Sequence, residues 1–137
     1  MGAGAYAVRW ELPPLPAQVP AGTSLRIPVK VTNLGNDVWP DRAMADAGEP
    51  GGWAVRLTYR WLTASEKGPH TGRYDLRRHV FPGETATIVA LPQAPLVPGA
   101  YTLELDLLQE NVAFFSNMGA PPARVPIEVV AAKTAKP

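Results

Sequence analysis

The stretch Ser24–Pro40, SLRIPVKVTNLGNDVWP, decides the fold class of this chain. Every second residue from position 25 to position 31 is apolar, which is the period of a β-strand with one face in a core and one face in water. A helix is excluded because β-branched residues predominate and Pro28 would remove a hydrogen bond from its interior. Pro28 also predicts a sheet edge or a bulge at that point. The turn-favouring residues Asn33–Asp37 follow, and Trp39-Pro40 ends the segment.

The same alternation recurs along most of the chain. Short alternating segments are separated by turns rich in Gly and Pro, at the spacing typical of a sandwich or barrel. The sequence therefore predicts an all-β fold, an immunoglobulin-like or fibronectin-III-like antiparallel β-sandwich of about seven or eight strands. Residues 1–130 form one domain in this prediction, and 131–137 form a flexible tail. The strand segments beside Ser24–Pro40 are Tyr6–Leu12, Trp53–Leu62, Arg73–Phe81, Thr85–Leu91, Tyr101–Glu110 and Arg124–Val130.

Length and composition exclude several classes of function. The 137 residues suit one domain and include no Cys, so there is no disulfide framework, thiolate metal site or thiol nucleophile. A net charge of +1 gives little support for nucleic-acid binding. No apolar run reaches the length of a membrane span, and the N-terminus lacks the pattern of a signal peptide. We expect a cytoplasmic location, or association with a membrane through a larger protein.

The strand order of an immunoglobulin-like sandwich makes two pairs of charged residues neighbours. The strand 53–62 then pairs with the strand 101–110, which sets Arg56 and Arg60 opposite Glu104 and Asp106 on the outer face. We expect the arginines to be neutralised there and to lower the pKa of both carboxyl groups. A hydrolase that uses this carboxylate pair is the less favoured alternative, because the pair sits on a flat, exposed strand.

Tyr101 stands at the start of a strand, directly after the tight crossing Pro98-Gly99-Ala100. This position is typical of a tyrosine corner, in which the ring packs inward and the hydroxyl bonds nearby backbone.

Four segments, quoted at the end of this paragraph, together resemble an immunoglobulin-like domain that is appended to bacterial glycosyltransferases, methyltransferases and membrane proteins of envelope-polysaccharide synthesis. The chain is also similar to the four-tryptophan domain of autophagy receptors. The resemblance covers roughly Ser24 to Val130, and Trp10 lies outside it. It implies an accessory domain without catalytic residues. The segments are VTNLGNDVWP (Val31–Pro40), VRLTYRWL (Val55–Leu62), FPGETATIVALPQAP (Phe81–Pro95) and VPGAYTLELDLLQENVAFFSNMG (Val97–Gly119).

The candidate ligand-binding residues are aromatic rings beside loops, on which sugar C–H groups could stack, with polar side chains that would supply hydrogen bonds. The alternative for each ring is to close an end of the sandwich core. The edge segment Arg73–Phe81 could instead accept a partner strand. No catalytic residue, metal site or cofactor is predicted, and we expect His70 and His79 to be surface residues. The candidates are Trp39, Trp53, Asp75, Arg77, Phe115 and Asn117.

The sequence thus favours a non-catalytic accessory binding module of a bacterial envelope-glycan or glycosyltransferase system. Its predicted partners are glycan or a partner protein, with no nucleic acid and no direct membrane insertion. A monomer or weak dimer is expected. The alternative is a structural spacer or dimerisation domain without a small-molecule ligand.

Overall fold

The computed structural model describes residues 6–41, 54–109 and 113–132. This part of the chain contains nine strands and a 3-10 turn, Phe115–Met118, that follows β8. The strands are β1 (Val8–Glu11), β2 (Gln18–Pro20), β3 (Ile27–Asn33), β4 (Val55–Leu62), β5 (Thr71–Asp75), β6 (Thr85–Ala90), β7 (Gly99–Gln109), β8 (Ala113–Phe114) and β9 (Ala123–Val130).

The strands form two sheets, as the predicted sandwich requires. One sheet has the order β1-β3-β6, and the other has the order β2-β9-β7-β4-β5 with β8 paired to the end of β7. The pairing is antiparallel except between β2 and β9. The predicted all-β sandwich is confirmed. The strands beyond the predicted number include β2 and β8, which are three and two residues long and too short for alternation to indicate them.

The position of Pro28 follows from the length of β1. Strand β3 lies between β1 and β6, but β1 ends opposite Lys30. At Pro28, which lies opposite Val89, β3 therefore has a strand neighbour on the β6 side only. This local edge tolerates a residue without an N–H, as the sequence predicts.

The apolar residues of β3, β4 and β7 face each other and form the middle of the core. Ile27, Val29 and Val31 are completely buried, as are Leu57 and the β7 leucines Leu103, Leu105 and Leu107. Three aromatic rings close one end of this core. Phe115 makes edge-to-face contacts with Tyr6 at 4.9 Å and with Trp39 at 5.4 Å between ring centroids.

The corner after β3 is held by the buried side chain of Asn33. Its Nδ2 donates to the backbone oxygens of Asp37 (2.8 Å) and Val80 (2.9 Å), while its Oδ1 accepts from the N–H of Gly35 (2.8 Å). The N–H of Trp39 in turn donates to Val80 O at 2.8 Å. The corner therefore turns the chain and seals the core.

The predicted strand Arg73–Phe81 is wrong in its second half. Strand β5 ends at Asp75 and lies at the edge of its sheet. Beyond it, Leu76 and Val80 are both buried, and Val80 pairs with Trp39 across the corner. The chain leaves the sheet because both side chains enter the core at the end that the corner closes.

The tyrosine corner is confirmed. The hydroxyl of Tyr101 donates to the backbone oxygen of Val97 at 2.8 Å, and its ring meets Trp61 edge to face at 6.1 Å. Residues 133–137 of the predicted tail lie outside the described residues.

Candidate functional site

Two of the predicted stacking rings belong to the core. Trp39 and Phe115 are completely buried and contact each other. Neither ring presents a face to a ligand, so the prediction that sugar stacks on these two rings is corrected in favour of their alternative role, closing the core. Asn117 is exposed in the 3-10 turn. Trp53 lies outside the described residues.

The two remaining candidates, Asp75 and Arg77, lie in one groove. The groove opens between the edges of the two sheets and has a volume of about 560 Å³. Pockets of this size hold small ligands or segments of a partner. It is lined by Arg73, Tyr74, Asp75, Arg77, Thr87, Ile88 and Val89.

Strand edges, not strand faces, form both walls of the groove. Strand β5 is the last strand of the larger sheet, and β6 is the last strand of the smaller one. Each contributes three consecutive residues, 73–75 and 87–89. Because successive side chains of a strand point to opposite faces, three consecutive residues line one groove only along a strand edge. The hydroxyl of Tyr74 accepts a bond from Leu91 N–H at 3.1 Å and ties β5 to the end of β6.

Three charged side chains line the groove. It is lined by two arginines, Arg73 and Arg77, and by one carboxylate, Asp75. Asp75 is already compensated, because its Oδ1 lies 2.8 Å from Nε of Arg56 on β4. Arg77 is exposed and forms no ion pair with any residue of the described ranges. The groove therefore offers a guanidinium to an anionic ligand.

A second polar cluster lies on the outer face of β4 and β7, and Glu104 is its first member. Arg60 donates to Glu104 Oε1 at 2.6 Å and Arg124 to Oε2 at 2.9 Å. The predicted pairing of Arg60 with Glu104 is confirmed, but the predicted exposure of Glu104 is wrong, since it is only 1% exposed. Burial raises the pKa of Glu104, but the hydrogen bonds and charges of the two arginines outweigh it and lower the pKa overall.

Asp106 differs from the prediction more strongly. It is buried opposite Thr58, while Arg56 pairs with Asp75 instead. Its Oδ1 accepts from the N–H groups of Leu107 (2.9 Å) and Ser116 (3.3 Å), and its Oδ2 accepts from the Ser116 hydroxyl. Burial raises the pKa of Asp106 to about 6 despite these bonds. The predicted lowering is wrong because burial dominates and, among the described residues, no arginine bonds this carboxyl group.

His70 lies over the outer face of β4 and β7, which carries Glu104 and Asp106. Its Nδ1 lies 3.2 Å from Thr58 Oγ1, and its ring stacks on Phe114 with centroids 4.0 Å apart. Burial lowers the pKa of His70, and the positive charges of Arg60 and Arg73 lower it further. His70 is thus partly buried and not a plain surface residue.

The arrangement of this cluster is structural in character. A nucleophilic serine needs a base that is oriented by a third group, together with donors for the oxyanion. Here Ser116 bonds Asp106 directly, and the hydroxyl that His70 meets is that of Thr58. Sequence reasoning missed Ser116 because ten residues and a chain reversal separate it from Asp106. The sequence feature that pointed to a polar partner for Asp106 was its position on the outward side of the β7 alternation.

In residues 6–41, 54–109 and 113–132, no group of three or more His, Asp or Glu side chains is placed to hold a metal ion. Over the same residues, no helix has the length and apolar character needed to cross a membrane.

Comparison with known proteins identifies the fold. No protein-family model and no curated protein matches the chain. Among solved structures it is similar to the CARDB domain of the PF1109 protein from Pyrococcus furiosus, a crystal structure in complex with di-metal ions. The TM-score is 0.55 at 17% identity, over 90% of this chain and 86% of that chain. The solution NMR structure of the same domain gives a TM-score of 0.52 at 16% identity, over 90% of this chain and 93% of that chain.

Two larger proteins contain a similar fold. One is a mutant β-glucosidase from Listeria innocua in complex with laminaribiose, at a TM-score of 0.51 and 13% identity, over 91% of this chain and 16% of that chain. The other is the alkylpurine DNA glycosylase AlkC of Pseudomonas fluorescens bound to DNA. Its TM-score is 0.53 at 11% identity, over 90% of this chain and 30% of that chain. At these identities the likeness concerns the fold alone. The chain therefore has a β-sandwich fold similar to that of the CARDB domain.

Proposed function

We propose that this chain is a non-catalytic accessory module that contacts glycan or a partner protein through the groove between β5 and β6. Its setting in this proposal is a bacterial envelope-glycan or glycosyltransferase system, which the sequence resemblance of Val31–Pro40 and the other three segments supports. In the two enzymes named above, a similar fold occupies only 16% and 30% of the chain. A domain of this kind is thus found as one part of larger enzymes.

The single observation that carries the proposal is the position of Arg77. It stands exposed in a groove whose carboxylate, Asp75, is already matched by Arg56. An arginine in such a place can form two parallel bonds to a carboxylate or phosphate of a ligand. The polar cluster on the other sheet face has its carboxylates occupied by arginines, backbone N–H groups and Ser116. This supports the non-catalytic part of the proposal.

The experiment is a glycan array and a co-purification from an envelope fraction, each performed with the wild-type chain and two charge-reversal variants. Arg77→Glu changes the groove. Arg9→Glu makes the same charge change on β1, at the opposite edge of the smaller sheet, where Arg9 is also exposed. We expect R77E to lose the captured ligand and R9E to retain it. Equal capture by all three chains would refute the groove as the contact surface.

One observation favours the alternative of a spacer or dimerisation domain. Leu96 and Val97, at the turn before β7, are 78% and 68% exposed. Adjacent exposed apolar residues are typical of contacts with a neighbouring domain or a second copy. Sedimentation velocity tests this alternative. It predicts a concentration-dependent dimer that the double variant Leu96→Ser, Val97→Ser abolishes, whereas a strict monomer removes dimerisation.

A further inference from the structure

The strands that end the two sheet orders, β1, β6, β2 and β5, differ in how they are protected against pairing. Natural proteins block open edges with charges, proline, bulges or very short strands. Strand β1 carries Arg9 and Glu11, and β2 is three residues long and ends in Pro20. Strand β5 carries charged residues and has a register shift opposite Leu57 and Tyr59. Each of these three edges has a protective feature.

Strand β6 has none of these features. Its sequence, TATIVA, contains no charged residue and no proline. Its register with β3 runs without interruption from Thr85 to Ala90. It is also the terminal strand of its sheet. A regular, uncharged edge strand is a template for another chain unless something covers it.

The direction of the free backbone groups of β6 follows from the register. Asn33 N–H donates to Glu84 O at 2.9 Å, and Leu25 N–H donates to Pro92 O at 2.8 Å. Both contacts continue the β3–β6 register, one residue beyond one end and two beyond the other. In an antiparallel ladder, bonded pairs recur at every second residue. The residues of β6 that bond β3 are therefore Ala86, Ile88 and Ala90.

The intervening residues point their backbone groups the other way. The N–H and C=O groups of Thr87 and Val89 are directed away from β3, and both residues line the groove. None of these groups has a backbone partner within the described ranges. The open side of β6 thus presents an alternating row of donors and acceptors to the groove, with Arg73 and Arg77 on the opposite wall.

We infer that β6 accepts an acidic, extended peptide segment of a partner protein as an added strand, with a carboxylate facing Arg77. This inference rests on the groove being the contact surface proposed above. A peptide supplies the backbone groups that match Thr87 and Val89, which a glycan does not. A second copy of this chain would bring its own Arg77 toward this groove and its Arg77, so charge disfavours it.

The test uses the full chain and a fluorescein-labelled, alternating octapeptide, (Glu-Val)4, in a polarisation titration. The matched probe is (Lys-Val)4, and unlabelled oligogalacturonate serves as an anionic glycan competitor. Thr87→Pro removes one outward N–H without removing a bond to β3. Arg77→Glu reverses the groove charge at an exposed position, and Arg9→Glu is its control. Circular dichroism verifies that each variant is folded.

We expect (Glu-Val)4 to bind at least tenfold more tightly than (Lys-Val)4. Both T87P and R77E should lose at least tenfold in affinity, and R9E less than threefold. If T87P does not fold, R77E compared with R9E still tests the role of charge. Val89→Pro, which removes the other outward N–H of β6, then tests strand addition.

Three results would overturn the inference. If both peptides bind equally, or neither binds, β6 has no preference for an acidic strand. If oligogalacturonate binds with sensitivity to R77E while the peptides do not, the groove remains the contact surface and only the peptide is wrong. If sedimentation shows a dimer that T87P abolishes, the occupant of β6 is a second copy. Failure of peptide, oligogalacturonate and glycan array together would refute the groove itself.

Discussion

Ser116 forms two hydrogen bonds to the buried carboxylate of Asp106. Its hydroxyl donates to Oδ2, and its backbone N–H donates to Oδ1 at 3.3 Å. These bonds fasten the 3-10 turn Phe115–Met118 to β7. Since Phe115 precedes Ser116 and is completely buried against Trp39, the same bonds help to hold an aromatic ring in the core. A polar contact on the outer face thereby supports the apolar end of the sandwich.

The first prediction concerns the protonation of Asp106. Because its pKa is raised to about 6 in the folded chain, the native state holds this proton more tightly than the unfolded state does. The stability that the proton contributes is fully present below the ordinary pKa, near 3.8, and is lost as the pH rises through about 6. We expect the difference in unfolding free energy between wild type and Asp106→Asn to fall by about 2 kcal/mol from pH 4 to pH 7.5.

The comparison with Asp106→Asn isolates this group from His70. The pKa of His70 is lowered, chiefly by burial, so its contribution is lost as the pH falls and has the opposite sign. Both chains retain His70, so its effect largely cancels in the difference. Urea denaturation at five pH values measures it. A difference that is flat across this range would contradict the raised pKa of Asp106.

The second prediction concerns Glu104, whose lowered pKa reflects its two arginines. Its stabilisation is present above the ordinary pKa of 4.5 and is lost as the pH falls through the lower value of the folded state. Glu104→Gln should destabilise the chain by about 1–3 kcal/mol at pH 7, below the figure for fully buried pairs because Arg124 is half exposed. At acidic pH the loss should shrink.

The matched control for Glu104→Gln is Glu11→Gln, at an exposed position of β1. Chemical denaturation should show a change within about 0.5 kcal/mol for this control. Equal effects of the two substitutions would mean that the pairs with Arg60 and Arg124 contribute nothing.

The third prediction distinguishes a core ring from an exposed one. Phe115→Ala removes a completely buried side chain and should cost about 3–5 kcal/mol of unfolding free energy. Phe81→Ala deletes the same atoms where the ring is 48% exposed and should cost much less. Thermal denaturation of both variants measures the contrast. Similar losses for the two would show that Phe115 is not a core residue.

The fourth prediction concerns the tyrosine corner. Tyr101→Phe keeps the ring against Trp61 but removes the bond to Val97 O. We expect a loss of about 1 kcal/mol in urea denaturation, with an unchanged slope of the transition. An unchanged midpoint would contradict a stabilising role for the hydroxyl.

The sequence predicted those features that depend on alternation and strand order. The period of two placed Leu103, Leu105 and Leu107 in the core, and the sandwich order then set Arg60 opposite Glu104. The tyrosine corner depends on a local crossing of the chain and could therefore also be predicted from the sequence.

Features that depend on distant segments of the chain were not accessible in this way. Asp106 is buried because the segment 113–118 returns over β7 and because His70 stacks on Phe114, and no local pattern encodes either contact. The groove arises where the last strands of two sheets meet. Asp75 and Arg77 are predicted as binding residues because of their charge and hydrogen-bonding groups. The contribution of β6 to the groove is not predicted, because its sequence is uncharged.

We propose the groove between β5 and β6 as the surface through which this domain contacts its ligand. The most direct measurement is amide chemical-shift mapping of the 15N-labelled chain during titration with (Glu-Val)4. We expect the largest shifts on residues 71–75 and 85–89, and we expect the amides of Thr87 and Val89 to become protected from hydrogen exchange. Shifts confined to Leu96–Val97, or to the turn that carries Asn117, would contradict this proposal.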